Sequence, residues 1–219
     1  MRWICTALFF GVASLWAQSP QSYSRLVNPF IGTGGHGHTF PGAVAPFGMV
    51  QLSPDTRIDG SWDGCSGYHY SDSSIYGFSH THLSGTGCSD YGDILLQPQV
   101  GSGNLAPAAQ QPQSFSHSQE SAQAGYYQVR LDNGIQVELS ATERVGFHRY
   151  QFPDANGAVL LDLEHRDPLL ASELRVYDSV TLVGYRKSKA WANEQYVFFA
   201  LRFSQAIHLS DWHYDADYC

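Results

Sequence analysis

The sequence predicts an all-β protein, an antiparallel β-sandwich with long glycine-rich loops. Three observations carry that reading. Apolar and polar residues alternate in short runs through the second half of the chain, the period of a strand with one buried face. Turn-forming residues punctuate those runs. Between Asn28 and Gly92 no window keeps the 3.6-residue apolar spacing of a helix, and Pro29, Pro41, Pro46 and Pro54 interrupt it.

Taken in order, the chain opens with Arg2 and an apolar run over residues 3–17, interrupted by Thr6 and Ser14 and ending on a small residue. A bilayer-spanning helix needs about 20 apolar residues. The shorter run reads as a secretory signal peptide, residues 1–19, which makes the protein periplasmic or secreted and residues 20–219 the mature domain. Residues 28–92 hold thirteen of the 21 glycines and five of the ten histidines and read as loops. Residues 101–124, rich in Ser, Gln, Ala and Pro, read as a surface excursion. Alternation then takes over. Tyr127, Val129 and Leu131 lead through Asp132-Asn133-Gly134 to Ile135, Val137 and Leu139, a strong hairpin signal. Further strands are predicted at residues 146–152, 158–163, 173–178, 181–186 and 195–203, with turns at Asn156-Gly157 and Ser179-Val180. Their apolar faces need a second layer, and a sandwich supplies it.

Composition excludes several functions. Charged residues make up 15% against about 25% in an average domain. Apolar residues reach 43%, so disorder is ruled out. The net charge is −8 and the lysines are Lys187 and Lys189 alone, which leaves no basic stripe to neutralise nucleic-acid phosphates. Removing the leader with Cys5 leaves Cys65, Cys88 and Cys219 in an oxidising compartment. Cys65 and Cys88 lie in two glycine-rich loops and either pair or remain free thiols.

Three stretches carry chemistry. Gly32-Thr33-Gly34-Gly35-His36-Gly37 satisfies G-x-G-x-x-G, but a dinucleotide needs a helix immediately afterwards and Pro41 and Pro46 forbid one. The glycines instead let the backbone turn tightly beside a ligand. His36-x-His38 and His80-x-His82 have a spacing that some metal sites use, yet no glutamate follows before Glu120; some of these histidines are expected to line a polar pocket and others to be hydrogen-bonded core groups. Trp62-Asp63-Gly64-Cys65-Ser66-Gly67-Tyr68-His69-Tyr70 combines an indole with Asp, Ser and Tyr, the apolar floor and few polar groups that a sugar ring needs. Among Asp55, Asp59, Asp63, Asp90, Asp93, Glu164 and Asp167, no spacing singles out the carboxyl pair of a glycoside hydrolase.

The run from Val27 to Ala43, with Pro46-Phe47-Gly48-Met49, Trp62 to Tyr68, Tyr76 to Gly87 and Trp191-Ala192-Asn193-Glu194-Gln195, resembles the N-terminal domain of glycoside hydrolase family 92. That resemblance covers about residues 25–210. It implies an N-terminal β-sandwich followed by a larger (α/α)6 barrel, and an exported, calcium-dependent, inverting exo-α-mannosidase acting on N-glycans or mannans. The implied calcium ligands and the catalytic acid and base belong to the barrel, so the resemblance assigns this chain no catalytic residue and no metal ligand. It assigns Trp62 to substrate, with Asp63, His36, His38, His80 and His82 in the same loops. The expectation is a chain truncated before the barrel and inactive alone, with mannose-containing glycans and the barrel as partners. The alternatives are a carbohydrate-binding module without catalysis and, more remotely, hydrolysis of the glycan–asparagine amide.

Overall fold

The computed structural model describes residues 23–102, 104 and 106–208; the expected leader, Cys5 and Cys219 lie outside them. Among the described residues the strands run β1 (Ala43–Val44), β2 (Gln51–Asp55), β3 (Ser74–Ile75), β4 (Gly77–Ser79), β5 (Leu95–Val100), β6 (Gln113–Gln123) and β7 (Tyr126–Leu131). They continue with β8 (Gln136–Ala141), β9 (Gly146–Gln151), β10 (Gly157–Asp162), β11 (Leu169–Asp178), β12 (Thr181–Ser188) and β13 (Gln195–Arg202). All seven segments expected in the second half are therefore strands, displaced at their ends by a few residues at most. Their antiparallel pairing builds two five-stranded sheets, ordered β1-β2-β4-β5-β10 and β3-β6-β7-β8-β9, and a third sheet, β11-β12-β13.

Alternation explains how the first two sheets pack. Tyr127, Val129 and Leu131 of β7 are buried, as are Val137 and Leu139 of β8, while the residues between them face outward. They meet Ala43, Leu52 and Phe78 from the facing sheet, and Ile75 and Phe115 close the edge of the same core. Each such side chain contributes about 1.5–3 kcal/mol when withdrawn from water. The hairpin turn forms at the expected residues: Gly134 adopts φ 92° and donates to the Leu131 carbonyl at 2.9 Å.

Two regions differ from expectation. Residues 101–124 are no loop excursion throughout, because β6 occupies Gln113–Gln123 and pairs along β7. Its sequence is polar on both faces, so local patterning could not reveal it; the hydrogen bonds of the β7 edge recruit it. A register shift between Phe115 and Glu120 then turns Glu120 inward. There it accepts from the hydroxyls of Tyr68 (3.0 Å) and Tyr127 (2.7 Å) and pairs with His117 Nδ1 (2.7 Å). The loop segment 28–92 also contains β1 to β4, short strands whose residues are buried by contact rather than marked by periodicity.

The third sheet leaves one face to solvent. Tyr185 pairs with Phe198 and Lys187 with Tyr196 on that face, where Phe198 and Tyr196 are exposed and their rings stack at 6.4 Å. The opposite face carries Leu182, Arg186 and Ser188, all buried. Arg186 ties this sheet to the first one. Its guanidinium donates to Asp93, to the Leu163 carbonyl at 2.7 Å, and to the carbonyls of His165 (2.9 Å) and Asp167 (2.8 Å). No helix among the described residues is long and apolar enough to cross a membrane.

Candidate functional site

The glycine loop folds back on itself. Gly32 and Gly35 take φ 84° and 60°, Gly37 donates to the Gly34 carbonyl at 3.1 Å, and Thr39 donates to the Gly32 carbonyl at 3.3 Å. A Cβ on Gly37 would meet the Gly32 oxygen at 1.9 Å, so only glycine fits there. No helix follows, and the loop is a scaffold for His36 and His38.

The Trp62 loop is fixed from below. Asp59 Oδ1 accepts from the Ser61 amide at 3.0 Å, and Cys65 and Gly67 close successive turns onto Trp62 and Gly64 at 3.4 and 2.8 Å. Arg57 lies against Asp72, with Nη2 at 2.5 Å from Oδ1, and its Nη1 donates to the Asp63 carbonyl at 3.2 Å.

These two loops bring four of the six expected site residues together. His36 Nδ1 donates to Asp63 Oδ1 at 2.9 Å. The His38 ring stands edge-on to Trp62 at 4.8 Å and 81°. Trp62 keeps 62% of its surface exposed, so much of the indole is open to solvent beside a polar pair. The hydrogen bond from His36 lowers the Asp63 carboxyl pKa, so at neutral pH this carboxylate accepts hydrogen bonds from hydroxyls and does not donate a proton. The surface is one wall rather than an enclosing pocket, because a pocket buries most of its ligand. Two open concavities, of about 480 and 400 Å3, are lined by other residues: one by the turn at Gly101 and Gly157, the other by the Glu173 and Phe198 face.

His80 and His82 do not join that surface. His82 is buried, with Nδ1 donating to the Gln51 carbonyl at 2.8 Å and Nε2 at 3.2 Å from Asp55 Oδ1. Ser79 Oγ approaches the same Nε2 at 3.1 Å and donates to Asp55 at 2.5 Å. A nucleophilic triad needs Ser and Asp on opposite imidazole nitrogens, so this arrangement is structural. Burial pushes the Asp55 carboxyl up, but the His82 and His165 imidazoles outweigh it and hold the pKa well below the carboxylate range. Arg166, at φ 64°, adds its Nη1 at 3.6 Å.

His80 belongs to a second arrangement. Its Nδ1 donates to the Ile94 carbonyl at 2.7 Å, which leaves Nε2 to accept from His148 Nε2 at 3.0 Å. His148 Nδ1 in turn accepts from the Tyr150 hydroxyl at 2.7 Å. Every polar atom of this chain is satisfied only while both rings are neutral. Burial lowers both imidazole pKa values, that of His148 well below the usual one. The unfolded chain therefore binds more protons below about pH 6.5, and the stability contributed by the pair is present above that pH and lost as pH falls. Urea unfolding midpoints should drop between about pH 7 and 5, and His148→Gln should flatten that limb; equal slopes for wild type and variant would reject the account.

Cys65 and Cys88 are free thiols here, one buried and one exposed. Of the two alternatives the structure has the free thiols, and Cys65 Sγ donates to the Thr86 carbonyl at 3.0 Å. Burial raises its thiol pKa. Among the carboxylates considered for catalysis, Asp55 is buried beside the Arg166 guanidinium and Asp93 against that of Arg186. Asp90 is buried too, and burial raises Asp167 to about 6, only partly offset by Arg166. Among the described residues no three His, Cys, Asp or Glu side chains are grouped to hold a metal ion.

Sequence reasoning missed Glu120, His148, His165, Arg166 and Arg186. Arg186 alone left a signal, since it shares the inward parity of Leu182 in an alternating strand.

An antiparallel sandwich bearing glycine-rich loops, with an exposed aromatic and polar surface on those loops, is the class that fold and site define. The model of the glycosyl hydrolase family 92 N-terminal domain matches residues 26–217, and the chain belongs to that family. It is 33% identical over 165 residues to an uncharacterized secreted glycosidase of Arthroderma benhamiae, covering 69% of this chain and 21% of that protein. The structure is similar to the GH92 α-mannosidase BT3965 of Bacteroides thetaiotaomicron, with TM-score 0.77 and 37% identity over 84% of this chain and 26% of that one. The GH92 inverting mannosidase BT2199 from the same organism matches with TM-score 0.66 and 28% identity, over 80% of this chain and 24% of its own. The chain thus spans about a quarter or less of the relatives it matches.

Proposed function

We propose that this chain is the N-terminal, sugar-contacting portion of an exported, calcium-dependent, inverting exo-α-mannosidase acting on α-mannosides of N-glycans or mannans. The observation that carries the reading is the exposed Trp62 indole set beside the His36–Asp63 pair. An indole face packs against the C–H face of a pyranose while charged neighbours take its hydroxyls. BT3965 has been solved in complex with mannoimidazole, which supports a mannose-shaped ligand for the family's cleft. The family's second domain, the (α/α)6 barrel, supplies the acid, the base and calcium in this reading, and the isolated chain is inactive.

The described residues favour that division of labour. Hydrolysis with inversion needs a carboxylic acid and a carboxylate about 6.5–9.5 Å apart. Beside Trp62 stands Asp63, held ionised, while Asp55 and Asp93 are committed to buried cations. The test is a titration of the chain with methyl α-mannoside, followed by an assay with an aryl α-mannoside and calcium. Weak binding that Trp62→Ala abolishes, without turnover, is the expected result. Turnover by the purified chain would overturn the inactivity, and binding unaffected by Trp62→Ala would overturn the site.

A further inference from the structure

We infer that Gly87 is a positioning residue, the seat that holds the Trp62 ring in its sugar-facing orientation; the inference rests on the reading of Trp62 given above. A Cβ on Gly87 would lie 2.0 Å from Trp62 Cζ3, 2.1 Å from Cη2 and 2.8 Å from Cε3. The six-membered ring of the indole occupies the space where any side chain at position 87 would begin. Carbon atoms rest about 3.5–4.0 Å apart, so even alanine would displace the ring by roughly 1.5 Å.

The need for glycine here is spatial. Gly87 has no φ in the left-handed region, whereas Gly85, two residues earlier, adopts φ 79° with nothing within 4 Å of its added Cβ. One loop thus uses two glycines for opposite reasons, Gly85 for its backbone and Gly87 for the space above it. Three further contacts leave the ring few alternatives. The His38 ring meets it edge-on at 4.8 Å, the Gly85 amide donates to the His38 carbonyl at 2.6 Å, and Arg57 holds the Asp63 carbonyl next to it at 3.2 Å. Trp62 therefore rests between a fixed backbone, an imidazole edge and a bare Cα, with its remaining surface open.

The experiment compares wild type, Gly87→Ala, Trp62→Leu and the double variant as full chains. Three quantities are read: the Trp62 indole N–H resonance, the affinity for methyl α-mannoside by NMR titration, and the urea unfolding midpoint. Gly87→Ala should move the indole resonance, weaken binding roughly tenfold and lower the unfolding midpoint. In the Trp62→Leu background, where only the midpoint can be read, the same change should leave it unmoved, because the ring it displaces is gone. The double variant also removes the clash, so it folds even if Gly87→Ala alone does not, and recovery of folding supports the seat. An unmoved indole resonance, unchanged affinity, or an equal drop in unfolding midpoint in the Trp62→Leu background overturns the inference. If wild type binds no mannoside, the sugar reading fails instead, and the indole resonance by itself decides whether Gly87 seats the ring.

Discussion

Arg186→Met is expected to cost about 3–5 kcal/mol of unfolding free energy, the largest effect of any single change considered. Arg186 and Asp93 are both fully buried and paired. Removing the cation leaves the Asp93 carboxylate without its counter-charge in a site that water does not reach, and the desolvation cost of that ion is then uncompensated. The remaining partners of Asp93, Thr81 at 2.8 Å and Gln195 at 2.9 Å, are neutral donors and cannot replace it. The carbonyls of Leu163, His165 and Asp167 lose their donor in the same step. Total stabilities of domains lie near 5–15 kcal/mol, so the variant should unfold at much lower urea. The double variant Arg186→Met, Asp93→Leu should recover much of the loss, because a pair replaced by apolar groups costs far less than a pair broken. A single variant within about 1 kcal/mol of wild type would show that the link between the third sheet and the first adds little.

Asp55→Asn is expected to follow, at about 3 kcal/mol. The side chain is isosteric, so the loss reports charge and not shape. Around Asp55 lie His82 at 3.2 Å, His165 at 3.6 Å and Arg166 Nη1 at 3.6 Å, and Arg166 Nη1 has no hydrogen-bond partner of its own. Neutralising the carboxylate leaves the Arg166 guanidinium buried without its counter-charge. The pH dependence gives a second check. The folded carboxyl titrates well below 3.8 while the unfolded one titrates near it, so Asp55 stabilises fully above that pH. The contribution is lost as pH falls further. Wild type should show an acid limb there that Asp55→Asn lacks, and parallel acid limbs would count against a charged Asp55 in the fold.

Much of the fold was legible because it repeats with period two. Tyr127, Val129 and Leu131 announce which face of β7 is inward, and Asn133-Gly134 fixes where the chain reverses. The strand β6 was not legible. Its Ser, Gln and Glu residues form no apolar face, and the register shift before Glu120 breaks the parity that would have marked that side chain as buried. The site was half legible. His36, His38, Trp62 and Asp63 could be named as a group because they crowd into loops with no helical or strand pattern to explain them. His80 and His82 share the same composition but follow β4 toward the interior, where Ile94, His148, Gln51 and Asp55 receive them.

The sequence by itself determined the fold class, the antiparallel strands of the second half, the family and the loops that carry the exposed indole. Each of these depends on local pattern or on contiguous residues. Tertiary structure alone decided which histidines face solvent, that Cys65 is buried on the Thr86 carbonyl, that Arg186 is buried against Asp93, and that Asp55 is buried against His82 and Arg166. Those outcomes depend on which distant segments meet, and period-two alternation carries no record of that. Gly87 marks the boundary most sharply, since its identity is plain in the sequence and its reason is a ring from residue 62 resting on it.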